Sequence, residues 1–166
     1  MVGVTRGERI AMGQEHQVRL ATSADLEVVS RHFFALWPDG QPGEHREEAR
    51  AILAGSPPST LPLVVFVAEV DGMVVGFIEV GLRSHADGCD TRRPVGFIEG
   101  WYVEPSHRGS ALGRALMCAA EQWARSQGCH ELASDTWIDH ESSQRAHEAL
   151  GFEVVDRCVN FRKALR

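Results

Sequence analysis

Between Val103 and Leu116 the sequence reads Val-Glu-Pro-Ser-His-Arg-Gly-Ser-Ala-Leu-Gly-Arg-Ala-Leu, a strand-like end, a run of small residues and the start of a helical apolar stripe. Small residues let the backbone approach a phosphate, the first N–H groups of a helix lack intrahelical acceptors, and the helix dipole favours negative charge there. The stretch therefore predicts an anion site, with a pyrophosphate as its natural guest. No Gly-Lys-Ser/Thr follows, so it is not a Walker loop, and the glycine spacing of the dinucleotide fingerprint is absent. A second chemical feature precedes it. Glu99 lies between apolar residues of the strand-like run Pro94–Glu104, where a carboxylate must find a partner, stay near solvent or do chemistry. Strict alternation predicts Phe97, Glu99, Trp101 and Val103 on one face of that strand, with Ile98 and Tyr102 on the other.

The elements that must position these groups fit one domain. The chain has 166 residues, 43% hydrophobic and 24% charged, enough for a single core. Residues 1–16 lack the apolar centre of a secretory signal and read as a flexible extension, leaving 17–166 as the domain. Seventeen Lys and Arg against 23 Asp and Glu give a net charge of −6, which argues against nucleic acid as a partner and favours a cationic one. The longest apolar run, Leu63 to Val70, is broken by Glu69 and falls short of a membrane span. Cys89, Cys118, Cys129 and Cys158 form no CxxC pair, so reduced thiols in the cytoplasm are the economical reading. Among the eight histidines, only His140 and His147 share a helical spacing and no third ligand accompanies them, so no metal site is expected.

Gln17 to Ala21 reads as a short strand, and Thr22-Ser23-Ala24-Asp25 as a helix start. Leu26, Val29, Phe33, Leu36 and Trp37 then recur at helical spacing up to Pro38. Glu44 to Ala54 predicts a second helix. Leu63–Val70 and Met73–Leu82 predict an antiparallel hairpin about Asp71-Gly72. Leu112, Leu116, Ala119 and Trp123 give the clearest helical stripe, stopped at Gly128. Glu131–Trp137 predicts a strand, Asp139 to Leu150 a helix, and Phe152–Phe161 a last strand. The order β-α-α-β-β-β-α-β-α-β implies an α/β fold, with a mixed, mostly antiparallel sheet flanked by helices on both faces.

The segment Arg108-Gly109-Ser110-Ala111-Leu112-Gly113 resembles the acyl-CoA-binding motif of the GNAT superfamily of N-acetyltransferases. There the pattern is Arg or Gln, two residues, Gly, one residue, then Gly or Ala; here Ala111 replaces the first glycine. The element order, Trp101-Tyr102-Val103 before the motif and Leu150-Gly151-Phe152 near the chain's end fit the same family over nearly the whole chain. Several shorter segments resemble the aminoglycoside 6′-N-acetyltransferases in particular: Leu36-Trp37-Pro38, Gly88-Cys89-Asp90, Phe97-Ile98-Glu99-Gly100, Ala133-Ser134-Asp135-Thr136 and His147 to Glu153.

The resemblance implies acetyl-CoA as cosubstrate, no metal, an aminoglycoside as the cationic acceptor, loss of antibiotic action on its acetylation, and a homodimer. It places Trp37, His85, Glu99, Asp135 and Asp156 on the walls of the acceptor cleft, with His85 where relatives tend to have tyrosine and Asp156 where they tend to have glutamate. Trp101, Tyr102, Val103, Arg108, Gly109, Ser110, Ala111, Leu112, Gly113, Arg114, His140 and His147 fall at cofactor-binding positions. Glu99 is assigned as the base, its pKa raised by aromatic neighbours, with Asp135 in reserve and Glu79 as a third candidate. Backbone N–H groups of Trp101 to Val103 serve the oxyanion, since the family's sheet splays there. His147, where many relatives have tyrosine, is a candidate proton donor to the thiolate, or a packed histidine. His140 falls where the family often has asparagine. Two rival functions stay open: the same chemistry on another amine, such as a polyamine or a protein N-terminus, and a non-catalytic acyl-CoA sensor.

Overall fold

The computed structural model describes residues 16–41 and 43–165. The expected extension lies, except for His16, outside the described residues. Five strands, β1 (His16–Leu20), β2 (Leu63–Val70), β3 (Met73–Arg83), β4 (Val95–Val103) and β5 (Leu132–Ser134), form one sheet in the order β1-β2-β3-β4-β5. The first four pair antiparallel, and β5 runs parallel to β4. Helices α1 (Leu26–Leu36) and α2 (Glu44–Leu53) cover one face, and α3 (Leu112–Ser126) covers the other, with α4 (Glu141–Glu148) after β5. The architecture is the α/β sheet with helices on both faces that the element order implies.

The β2–β3 hairpin turns through Asp71 (φ 50°) and Gly72 (φ 78°), the two positive φ values of a type I′ turn. On the α3 face, Leu112, Leu116, Met117 and Ala120 pack on Ile78, Val80 and Ile98. The buried stripe of α3 is thus rotated slightly from the expected one, with Ala120 inside and Ala119 half-buried. On the other face, Val29 and Phe33 of α1 and Ala49 and Ile52 of α2 meet Val65, Val67 and Phe77.

The alternation expected along β4 is broken once. Glu79 pairs with Gly100 and Val80 with Ile98, leaving Glu99 as the extra residue of a β-bulge. Beyond the bulge the faces exchange. Ile98, Trp101 and Val103 pack on the α3 side, while Tyr102 packs on the α1–α2 side with Phe77. The bulge explains why Glu99 and Trp101 part company, although period two puts them together.

Two other expectations need correction. The strand expected over Glu131–Trp137 is only Leu132–Ser134, and Trp137 and Ile138 are exposed. The last strand expected over Phe152–Phe161 is not formed. That segment is an irregular arm whose Val154, Val155, Val159 and Phe161 are exposed, Phe161 to 94%. A strand exists only through a ladder partner, and this arm has none among the described residues. Val155 instead lies against Gly88, so close that a Cβ built on Gly88 would come within 2.6 Å of the Val155 Cβ.

One polar network ties the first strand to the first helix. Arg19 donates to both oxygens of Asp25 (2.8 and 2.9 Å) and to Glu69 (2.9 Å), and Asp25 also accepts from the Thr22 backbone N–H at 2.8 Å. The hydrogen bond from Arg19 is the main cause that holds the Asp25 carboxyl at about 2, below its ordinary 3.8. Its stabilising contribution is complete above the unfolded-state value and is lost as pH falls through about 2. Asp25→Asn should cost about 2 kcal/mol at neutral pH. In urea unfolding of both proteins as a function of pH, that gap should close below pH 4; a gap that persists at pH about 2 would remove the ionic origin.

Candidate active site

A cleft of about 400 Å³ opens on the α1–α2 face, lined by Trp37, His45, Glu48, Ser59, Leu63, Glu79, Gly81, Leu82 and Glu99. Its floor is the bulge, where Glu99 and Gly100 both face the side that carries Glu79. Glycines make the room. A Cβ on Gly81 would come within 2.8 Å of Leu63, and one on Gly100 within 2.5 Å of the Trp37 ring. Trp37 ends α1 and packs edge-on against Phe33 at 5.4 Å between ring centroids. His45 of α2 fixes it from behind, with Nε2 donating to the Trp37 carbonyl at 2.8 Å. His45 and Glu48 belong to the cleft although their sequence context, a charge-rich helix, gave no sign of it.

Glu99 is not the free carboxylate among aromatics that the sequence suggested. Arg83 donates to both its oxygens, through Nε at 2.9 Å and Nη2 at 2.5 Å, and the same guanidinium stacks over the Phe97 ring at 3.3 Å. Glu79 is different. It is 3% exposed and its carboxyl has no hydrogen-bond partner among the described residues. Burial first, then the charges of Glu48 and Glu99, pushes its pKa up to about 8.

At the rim, β4 and β5 pair only from Gly96 with Leu132 to Ile98 with Ser134, then separate. From Glu99 to Val103 the β5-facing edge of β4 has no ladder partner among the described residues, so the splay expected at Trp101 to Val103 is present. Asp135 directly follows Ser134 and is exposed at the opening. His85 and Asp156 do not line the cleft. His85 is exposed on the β3–β4 loop, 3.5 Å from Asp87, and Asp156 lies on the exposed arm, accepting from the Arg157 backbone N–H.

The small-residue loop follows the end of β4. Gly109 takes φ 75°, and the amides of Gly109, Ser110, Ala111, Gly113 and Arg114 donate to no protein acceptor among the described residues. They gather at the start of α3, where an anion gains both hydrogen bonds and the helix dipole. Arg108 donates from Nε to the Val103 carbonyl at 2.9 Å, and Ser110 Oγ to the His107 carbonyl at 2.6 Å. Gly113 lies against Trp101, where a Cβ would be 3.0 Å from the ring. The buried Trp101 Nε1 has no hydrogen-bond partner among the described residues.

Arg114 reaches the Ala149 carbonyl at 3.3 Å and joins α3 to the end of α4. His147 is packed between Trp101 and Phe152, both edge-on. Its Nδ1 lies 2.8 Å from the Ser143 carbonyl and so carries the proton, and its Nε2 accepts from Ser134 Oγ at 3.0 Å. Both nitrogens are thus engaged, and the ring closes the α4 side of the opening. His140 precedes α4, exposed, and its carbonyl accepts from the Ser143 and Gln144 amides.

His32 of α1, 2% exposed, holds the loop from the opposite side. Its Nε2 lies 3.0 Å from Glu104 Oε1, while burial keeps its pKa below the ordinary value against the pull of Glu104. Every described cysteine is free. Among the described residues no cluster of His, Cys, Asp and Glu could hold a metal ion, and no helix is long and apolar enough to cross a membrane.

Residues 22–152 match the model of the acetyltransferase (GNAT) family. An aminoglycoside N(6′)-acetyltransferase type 1 of Stenotrophomonas maltophilia is 41% identical over 150 residues, covering 89% of this chain and 93% of the relative. One from Serratia marcescens is 46% identical over 133 residues, 79% of this chain and 87% of the relative. Among solved structures, the aminoglycoside N-acetyltransferase AAC(6′)-Iy in complex with CoA superposes with a TM-score of 0.84 at 32% identity, covering 95% of this chain and all of that one. The same enzyme with the bisubstrate analogue CoA-S-monomethyl-acetylneamine gives 0.82 at 33% identity, covering 91% of this chain and 99% of that one.

Proposed function

The chain belongs to the acetyltransferase (GNAT) family, and from that premise we propose that it transfers the acetyl group of acetyl-CoA to the 6′-amine of aminoglycosides. One observation carries the reading: β4 joins an acid-floored cleft, through an unpaired strand edge, to a helix start lined with free amides. An aminoglycoside is a sugar bearing several ammonium groups, and Glu99, Glu79 and Glu48 supply acceptors for charge-assisted hydrogen bonds within one cleft, with Asp135 exposed at the end of β5 where that strand leaves β4. Trp37 offers a ring face to a sugar or an ammonium, a contact of about 0.5 to 2 kcal/mol.

Acetyl-CoA fits the other half. The amides of Gly109 to Arg114 suit its pyrophosphate, with Arg108 and Arg114 beside them, and the cosubstrate supplies an activated thioester carbonyl. The backbone N–H groups of Trp101 and Val103, which point toward the open edge of β4 while that of Tyr102 points at β3, would receive the oxyanion. Trp101 and His147 form the wall where the thiol end would lie. The product is a neutral amide, so one cationic contact to ribosomal RNA phosphate is lost by the drug. The four free thiols and the cosubstrate suit the cytoplasm.

The transfer is tested by following free thiol release with acetyl-CoA and aminoglycosides that carry either an amine or a hydroxyl at the 6′ position, with spermidine and a peptide panel alongside. Turnover should follow the 6′-amine. Equal rates with 6′-amine and 6′-hydroxyl compounds, or faster turnover of spermidine or peptide, would overturn the assignment.

The quaternary state we propose is a homodimer. The arm 152–165 exposes Val154, Val155, Val159, Phe161 and Leu165, while β5, at the sheet's edge, has no ladder partner on its outer side among the described residues. A strand-forming sequence and an open edge are complementary, and a second copy supplies both at once. Light scattering should give a dimer mass, and Val155→Lys with Val159→Lys should shift it to monomer; a monomeric parent protein would remove the proposal.

A further inference from the structure

The acid that takes the proton from the incoming ammonium is, we propose, Glu79 of β3, with Glu99 acting as a positioning residue held by Arg83. This assignment rests on the acetyltransferase reading above and deepens it.

The two carboxyls share the cleft floor but not their surroundings. Glu99 accepts two hydrogen bonds from Arg83, whose guanidinium is itself fixed over Phe97. That pairing spends its charge and orients it, so an additional proton on Glu99 would displace an existing donor. Glu79 is 3% exposed and lines the cleft without a protein donor among the described residues, so its carboxyl is free to bond a group that enters there. It is the cross-strand partner of Gly100 at the bulge, one residue from the point where β4 loses its β5 neighbour. A nitrogen held over the bulge by Glu99 is therefore within reach of Glu79, and the open strand edge lies beside it.

The charged groups facing Glu79 are few and mostly acidic. Helix α2 presents Glu48 and His45, and β4 presents Glu99, already paired with Arg83 from β3. In the free protein the burial and the two neighbouring acids favour the neutral form at pH 7. An entering ammonium reverses that balance, so binding expels the Glu79 proton to solvent. The ammonium then gives one proton to the Glu79 carboxylate. The freed nitrogen lone pair forms the C–N bond as the C–S bond breaks, the second amine proton leaves with the thiolate as the CoA thiol, and the third stays on the amide.

The test compares the wild type with Glu79→Gln and Glu79→Asp. Gln matches the neutral carboxyl in shape, so the variant should fold and bind coenzyme A as the wild type does, read by thermal melting and calorimetry. With an aminoglycoside that the wild type acetylates, Glu79→Gln should lower kcat by about 10²- to 10⁴-fold, and Glu79→Asp should restore part of it. Calorimetry of aminoglycoside binding at pH 7 in two buffers of different ionisation enthalpy should show proton release in the wild type that is reduced in Glu79→Gln. A Glu79→Gln protein that melts and binds coenzyme A normally, yet keeps wild-type kcat from about pH 6 to 9, would overturn the role of Glu79 and leave the function standing. A wild type that acetylates no aminoglycoside would overturn the function and this role together.

Discussion

The bulge at Glu99 decides how the two faces of β4 divide their work. Without the extra residue, β4 would continue its alternation and Trp101 would follow Phe97 and Glu99 onto the α1–α2 face, away from Ile98 and α3. With it, the carboxylate keeps the α1–α2 face and meets Arg83, while Trp101 turns to the other face, against Gly113 of α3. One inserted residue thus separates the acid-lined side from the side that meets the helix start. The separation of β4 from β5 after Ile98 then connects the two sides through the plane of the sheet.

The surrounding architecture serves that point. Helix α1 delivers Trp37, whose ring fits because residue 100 has no side chain, and α2 delivers His45, which holds the Trp37 carbonyl. On the far side, His32 and Glu104 hold the chain where it leaves β4, and Arg108 grips the Val103 carbonyl. The amide-rich loop is therefore anchored at both faces before any anion arrives. Such preorganisation is where rigid scaffolds contribute most to transfer reactions, because groups need not be ordered when the substrates meet.

Much of this was legible in the residues. The hairpin at Asp71-Gly72, the α3 helix and the small-residue loop are local signals, each with its own turn or capping chemistry, and each stands where the sequence puts it, the buried stripe of α3 being rotated slightly toward Ala120. Trp37 and Glu99 were legible as cleft residues by resemblance. What escaped is non-local. A bulge leaves no mark in a strand pattern, so the partners of Glu99 and Trp101 were misassigned to one face. Arg83 lies 16 positions before Glu99, and only the β3–β4 register joins them. His45 and Glu48 sit in a helix whose composition reads as solvent-facing, and their inward side follows from how α2 packs on Phe33 and Trp37. The missing last strand is the clearest case: Phe152 to Phe161 has strand composition, yet no ladder partner meets it among the described residues.

The most direct test of the central claim is a crystal structure of the protein with coenzyme A and a 6′-amine aminoglycoside. The 6′-nitrogen should lie over the Glu99 bulge, within hydrogen-bond distance of Glu79 or Glu99, with the pyrophosphate on the amides of Gly109 to Arg114. A sugar bound instead at the charged notch around Asp90, Arg93 and Glu131, or on the α3 face, would contradict the account.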